Sequence, residues 1–167
     1  MDERADALFD AFVRARLGEL LRFGHVLSGN PHTAADLVQD ALERTLLAWP
    51  RIQKRDDPEG YVRRTMINGY ISIWRRRSRE RLVAQVPDIV LGSEPPGDAD
   101  LMHALAQLPP RARAVVVLRF YQDLSEREAA AVLGCSVGTV KSQTARALAR
   151  LRTQMGAAAG RGSPWTA

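Results

Sequence analysis

The chain has 167 residues, 46% hydrophobic but only 6% aromatic, and a formal charge of +5; this suits one ordinary core or two small ones, with helices packed on aliphatic stripes rather than a sheet sandwich. The single cysteine, Cys135, excludes an intrachain disulfide. Without a charged, apolar leader or an apolar run near the ~20 residues of a spanning helix, the expectation is a cytoplasmic protein with no membrane insertion.

Charge is unevenly spread. Residues 1–50 hold 5 Arg against 8 acids, residues 51–81 hold 10 Lys and Arg against 4 acids, and residues 98–160 hold 8 bases against 5 acids. Two separated basic blocks point to a polyanion held at two places.

Phe9, Val13, Leu17 and Leu20 recur at three- or four-residue steps, predicting an amphipathic helix over residues 3–27 that Ser28-Gly29-Asn30-Pro31 ends. A second helix, over residues 33–49, has Val38, Leu42, Thr45 and Trp49 on its buried stripe and is closed by Pro50. On its opposite side Asp36, Asp40, Glu43 and Leu47 align, with Gln39 beside them. An acidic stripe repels DNA phosphate. In a basic protein it reads as a docking face for a basic partner surface, with a plainly solvated face as the alternative.

Asp57-Pro58 has the form of an N-cap followed by proline at the first helical position, and the third helix should run to Arg81. Val62, Met66, Gly69 and Ile73 form its apolar stripe. Gly69 inside a helix costs about 1 kcal/mol relative to alanine, which marks a close helix approach. Tyr61, Arg64, Asn68, Ser72 and Arg75 form another stripe. An aromatic ring, an amide and two guanidinium groups can stack on an unpaired base, bond its edge and hold the backbone. The run "RRRSRER", which begins at Arg75, adds Arg76 and further phosphate-seeking charge, though it also reads as a cationic helix end favouring the helix dipole.

Residues 82–99, with three prolines and two glycines, read as a flexible linker. A short helix over 100–107 and a helix opened by Pro110 follow. Ser125-Glu126-Arg127-Glu128 has the form of a capping box opening a helix to Leu133. Gly134 permits the positive φ of a tight exit and Ser136 can cap the next helix, with Cys135 expected as a small buried residue between them. Val140, Thr144, Ala147 and Leu151 fall on its packing stripe, leaving Thr139, Ser142, Gln143, Arg146 and Arg150 free, with Lys141 nearby. This is the pattern of a helix-turn-helix whose second helix can enter a major groove, or of a hairpin with a solvated basic face. The tail over residues 157–167 is expected to be disordered. The fold class expected is all-α: two small helical domains, residues 1–81 and 100–156, joined by the linker.

Three stretches, "TAADLVQDALERTLLAW", "DPEGYVRRTMINGYISIWRRRSR" and "LPPRARAVVVLRFYQDLSEREAAAVLGCSVGTVKSQTARALARLR", resemble, in this order, segments of the extracytoplasmic function group of bacterial sigma-70 factors. The resemblance implies that Asp36, Gln39, Asp40, Glu43 and Arg44 meet the clamp helices of the polymerase's largest subunit. It implies minus-ten DNA contacts from Tyr61, Arg64, Asn68, Arg75 and Arg76, with the loop "RIQKRDD" helping to form a base pocket. It implies minus-thirty-five contacts from Ser136, Thr139, Lys141, Ser142, Gln143 and Arg146. The implied partners are core RNA polymerase, promoter DNA and an anti-sigma factor, with a free monomer or a 1:1 complex.

Two other classes compete. A helix-turn-helix regulator would bind duplex DNA without polymerase, usually as a dimer. An enzyme has little support: His25, His32 and His103 are scattered, and no glycine-rich phosphate loop, paired cysteines or catalytic constellation is present, so no metal and no cofactor are expected.

Overall fold

The computed structural model describes residues 3–52, 57–81 and 99–159. Residues 82–98 of the expected linker, residues 53–56 of the "RIQKRDD" loop and the tail beyond residue 159 lie outside the described residues. Among those described, every regular element is helical: α1 (Glu3–Ser28), α2 (Pro31–Ile52), α3 (Pro58–Arg81), α4 (Ala99–Ala106), α5 (Pro110–Val116), a π-helical turn (Val117–Tyr121), α6 (Glu126–Leu133) and α7 (Val137–Ala159). The all-α expectation is met. The helices group into two compact units, α1–α3 and α4–α7.

In the first unit α1, α2 and α3 pack on one another, burying Leu20, Phe23 and Leu27 of α1, Leu37, Val38 and Ala41 of α2 and Val62, Met66 and Ile67 of α3. Near the far end of α2, Trp49 packs edge-on against Phe9, centroids 5.1 Å apart, with Phe12 at 5.4 Å. Thr45 is fully buried and satisfies its hydroxyl on Ala41 O at 2.6 Å. One ion pair, Arg16–Glu59 at 3.3 Å, joins α1 to α3; Glu59 also pairs with Arg63 one turn along α3, whose guanidinium lies 5.6 Å over the Phe23 ring of α1.

The ends of α2 differ from the sequence reading. Asn30 Oδ1 accepts from the backbone N–H groups of His32 and Thr33 at 2.8 and 3.1 Å, so Asn30 is the cap and the helix begins at Pro31 rather than Thr33. Pro50 does not close the helix, which runs to Ile52. A proline this near the C-terminus removes one ladder bond, and buried Trp49 and Ile52 on either side hold the last turn against the core. At the other end of the chain α7 continues through Gly156 to Ala159, past residue 157 where the tail was expected to begin; alanine is the best helix former.

The buried face of α3 is wider than the expected stripe. Ile67, Tyr70 and Ile71 join Val62 and Met66 inside, whereas Gly69 and Ile73 are only half-buried, because α3 packs on both α1 and α2. A Cβ built on Gly69 would lie 3.2 Å from Leu37 Cδ2, so this glycine does mark a close approach to α2.

In the second unit α4, α5 and α6 all pack on α7. Ala104, Leu105 and Leu108 meet Val116, Ala147 and Leu151, while fully buried Val140 lies on the α7 stripe as its period requires. The π turn was not anticipated. Gln122 N–H donates to Val117 O and Leu124 N–H to Leu118 O, each at 3.0 Å, which ends the helix and leads the chain into the Ser125 cap.

Candidate nucleic-acid interfaces

The first candidate interface is an open groove of about 680 Å³ between α2 and α3. Asp57 starts α3: its Oδ1 accepts from Gly60 N–H at 2.8 Å. From that start, residues 61, 65, 68, 72 and 76 recur at helical steps, and Tyr61, Thr65, Asn68, Ser72 and Arg76 line the groove on the α3 side. The α2 side is lined by Asp36, Gln39, Asp40, Glu43 and Arg44. Ten polar or charged side chains from two helices thus converge on one concave surface, floored by Leu37, Gly69 and Ile73.

All five α2 side chains are exposed. Arg44 donates to Asp40 at 3.1 Å and Gln39 to Glu43 at 3.1 Å, each one helical turn apart. Leu47, which continues the acidic stripe, is 82% exposed. On α3, Tyr61 is half-buried and Asn68 exposed, so both can be reached from solvent.

Arg64 and Arg75 do not line this groove; both are exposed on the flank of α3 beyond Asn68. Thr65 was missed by the sequence reading, although the four-residue step from Tyr61 points to it. Its hydroxyl donates to Tyr61 O at 2.9 Å, which leaves the oxygen free to act as an acceptor.

The second candidate interface is the helix-turn-helix. Ser125 Oγ accepts from Glu128 N–H at 3.2 Å and Glu128 Oε2 accepts from Ser125 N–H at 2.7 Å, completing the capping box. The Ser125 hydroxyl, then its backbone amide, hold the Glu128 carboxyl below the usual carboxylate range. Gly134 adopts φ 64°, and Cys135 N–H donates to Ala130 O at 3.1 Å. Cys135 itself is half-buried rather than buried, since it stands in the turn between α6 and α7 and not within either helix.

Ser136 caps α7 by accepting from Thr139 N–H at 3.1 Å, and the two hydroxyls are 2.9 Å apart. Ser142, Arg146 and Arg150 are exposed and Thr139 and Gln143 half-buried along one side of the helix; Lys141, also exposed, lies away from that side. Ser142 donates to Thr139 O at 3.1 Å, so its hydroxyl faces an incoming ligand chiefly as an acceptor. Lys141 Nζ lies 3.7 Å from Glu126 Oε2 of α6.

Among the described residues no group of three or more His, Cys, Asp or Glu could hold a metal ion, and no helix is long and apolar enough to cross a membrane.

Comparison with known proteins adds an independent line. Residues 8–80 match the family model for sigma-70 region 2, and residues 98–151 match that for sigma-70 region 4. The chain is 42% identical over 151 residues to the RNA polymerase sigma-E factor of Streptomyces coelicolor, covering 88% of this chain and 85% of the relative. It is 35% identical over 162 residues to the ECF RNA polymerase sigma factor SigE of Mycolicibacterium smegmatis, covering 90% of this chain and 63% of that protein. Among solved structures it resembles the sigma factor RpoE in complex with the anti-sigma factor NepR from Bartonella quintana, with a TM-score of 0.73 and 26% identity over 89% of this chain and 96% of that one. It also resembles CnrH in complex with the cytosolic domain of CnrY, with a TM-score of 0.61 and 25% identity over 91% of this chain and 90% of that one. The extracytoplasmic function group to which the three quoted stretches pointed is thus the one reached from the whole chain: this protein belongs to the sigma-70 family of RNA polymerase sigma factors, in that group.

Proposed function

We propose that the chain directs bacterial core RNA polymerase to promoters in the cytoplasm by reading two DNA elements, one with each helical unit. In this reading Asp36, Gln39, Asp40, Glu43 and Arg44 of α2 dock on the basic clamp surface of the largest polymerase subunit. Tyr61 and Asn68 hold an unpaired base of the non-template strand, Arg76 meets its backbone in the groove, and Arg64 and Arg75 meet phosphates flanking it. Thr139, Lys141, Ser142, Gln143 and Arg146 of α7, with Ser136 at its cap, contact the minus-thirty-five element in the major groove.

The observation that carries this reading is the α2–α3 groove. An acidic, exposed helix face lies across it from an aromatic ring, an amide and a guanidinium group, so a protein-docking surface and a strand-holding surface share one unit while a helix-turn-helix occupies the other. A regulator that reads DNA only through its helix-turn-helix has no use for the groove. Each unit alone is expected to bind DNA weakly, because tethering supplies effective concentration without new contacts. Extruding a base costs a few kcal/mol, which stacking on Tyr61 and edge contacts from Asn68 offset.

The complex of RpoE with the anti-sigma factor NepR supports an anti-sigma protein as a further partner of this chain; a free monomer or a 1:1 complex with that partner is part of the same reading. Run-off transcription from a genomic promoter library, with core polymerase in the presence and absence of the protein, tests the proposal. Starts that depend on the protein and share a two-element motif are expected. No dependent start, together with unaided binding to duplex DNA, would replace it by the regulator reading.

A further inference from the structure

The exposed side of α7 carries more polar groups than it has free to read bases. Ser136 Oγ accepts from Thr139 N–H, and the two hydroxyls lie 2.9 Å apart, so both are tied to the first turn. The Ser142 hydroxyl spends its proton on Thr139 O and keeps only its acceptor side. Lys141 reaches toward Glu126 of α6, away from this side. By contrast Gln143, Arg146 and Arg150 make no hydrogen bond or ion pair with another described residue, so their full sets of donors and acceptors are open to a ligand.

Chemistry separates these groups further. A hydroxyl bonds any of several base edges and so discriminates little. A carboxamide sets one donor beside one acceptor, which matches adenine N7 and N6 in the major groove, whereas a guanidinium presents two parallel donors, which match guanine N7 and O6. Gln143 is half-buried at the border of the packing stripe, so it has less side-chain freedom to lose on bonding than a fully exposed residue. Arg146 follows three residues later, about 4.5 Å along the helix axis, against about 3.4 Å between stacked base pairs. Arg150 lies a further turn from the start of α7, and in a helix-turn-helix it is the N-terminal part of the second helix that meets base edges.

We infer that Gln143 and Arg146 are the side chains that choose sequence in the minus-thirty-five element: Gln143 takes an adenine, and Arg146 takes a guanine one or two base pairs away. The hydroxyls of Ser136, Thr139 and Ser142 choose no base, and Lys141 and Arg150 meet phosphates. The inference rests on the reading of α7 as the minus-thirty-five helix and deepens it, from a face that contacts DNA to two residues that set which DNA is contacted.

The test is selection from a duplex library randomised over about ten base pairs, one turn of DNA. One arm uses the full chain alone at low salt and sequences the bound duplexes. The other uses the full chain with core polymerase, places the library at minus-thirty-five and sequences the transcripts. The wild type is expected to enrich an adenine and a guanine one or two positions apart. Gln143→Ala is expected to relax the adenine position alone, about tenfold, and Gln143→Arg to convert it to guanine. Arg146→Ala is expected to relax the guanine position by a similar factor and leave the adenine. Ser142→Ala is expected to leave the motif unchanged, with circular dichroism confirming equal helicity throughout.

An adenine preference that survives both Gln143 variants, a guanine preference that survives Arg146→Ala, or a preference lost with Ser142→Ala would each overturn the assignment. A motif that follows these substitutions in the first arm, with no polymerase-dependent start in the second, would uphold the assignment and refute the proposed function. Dependent starts from a motif indifferent to the substitutions would do the reverse, and no motif in either arm would overturn both.

Discussion

Gly24 and Gly69 both stand inside helices where two helices meet, yet alanine is expected to act oppositely at the two positions. Each added methyl gives about 1 kcal/mol in helix propensity, largely by restricting the unfolded chain. At Gly69 the new Cβ would meet only Leu37 Cδ2, at 3.2 Å. That methyl ends a rotatable side chain and can yield a few tenths of an ångström for about 0.5 kcal/mol of rotamer strain. Gly69→Ala should therefore stabilise the first unit by about 0.5 kcal/mol. At Gly24 the Cβ would lie 3.1 Å from Ala34 Cβ and Met66 Cε and 3.2 Å from Ala34 Cα. Met66 can swing aside, but Ala34 has no rotamer to change, so relief must come from parting α1 and α2. Overpacking of this kind costs about 1–3 kcal/mol, which leaves Gly24→Ala destabilised by about 1 kcal/mol net.

The difference between the variants, about 1.5 kcal/mol, should separate their urea midpoints by about 1 M for a unit of this size. The assay is urea unfolding of the full chain followed by tryptophan fluorescence; of its three tryptophans, Trp49 and Trp74 lie in the first unit. Coincident midpoints, or a lower midpoint for Gly69→Ala than for Gly24→Ala, would refute the reasoning from contact type. Gly69 also lines the groove. Its alanine variant is accordingly expected to be more stable and yet to open promoters less well, a trade that an ordinary packing glycine would not show.

Asp40→Arg, which reverses charge on the α2 face and breaks the pair with Arg44, should abolish co-elution with core polymerase while circular dichroism stays unchanged; retained co-elution would remove the docking role. Asn68→Ala should impair promoter opening in permanganate footprinting more than closed-complex formation in gel shifts, and equal losses would remove its contact with an unpaired base. Lys141→Ala should cost at most about 0.5 kcal/mol of stability, because its contact with Glu126 is exposed, but should lower the salt dependence of minus-thirty-five binding by about one phosphate. Ser125→Ala should cost about 1 kcal/mol through the lost cap. Because bonding to Ser125 lowers the Glu128 carboxyl in the fold, the contribution of that pair is present above the ordinary glutamate value and is lost as pH falls through the lowered one. Acid titration of helicity should show this loss in the wild type and a smaller one in Ser125→Ala, which keeps the backbone N–H donated to Glu128.

How far the sequence could be read depended on the range of the interactions involved. The helix-turn-helix was legible down to single hydrogen bonds because its determinants are local: the Ser125–Glu128 box, Gly134 at φ 64° and the Ser136 cap each act within a few residues. The start of α3 was legible for the same reason, through Asp57 and Pro58. Its faces were not. A single apolar stripe through Gly69 and Ile73 describes a helix with one neighbour, whereas α3 has two, so Ile67, Tyr70 and Ile71 went inside. The same rotation brought Thr65 and Arg76 to the groove in place of Arg64 and Arg75. Pro50 and the π turn misled or escaped the reading because buried neighbours, absent from any local window, decide whether a helix survives an irregular residue.

That division bears on how the proposed DNA-facing surfaces are specified. A cap fixes where a helix begins, and at 100° per residue it thereby fixes which side chains share a face. Ser136 starts the helix that carries Gln143 and Arg146 on one face, and Asp57 starts the one that carries Tyr61 and Asn68, while packing decides which of those faces is left open. The groove needs a second kind of determinant, since its width depends on how closely α2 and α3 approach. Gly69 against Leu37 supplies it within the same four-residue register as the side chains proposed to hold the base. One glycine thus couples helix spacing to the pocket. Substitutions there should alter promoter opening even where they improve the fold, while substitutions at Gly24, away from the groove, should act on stability alone.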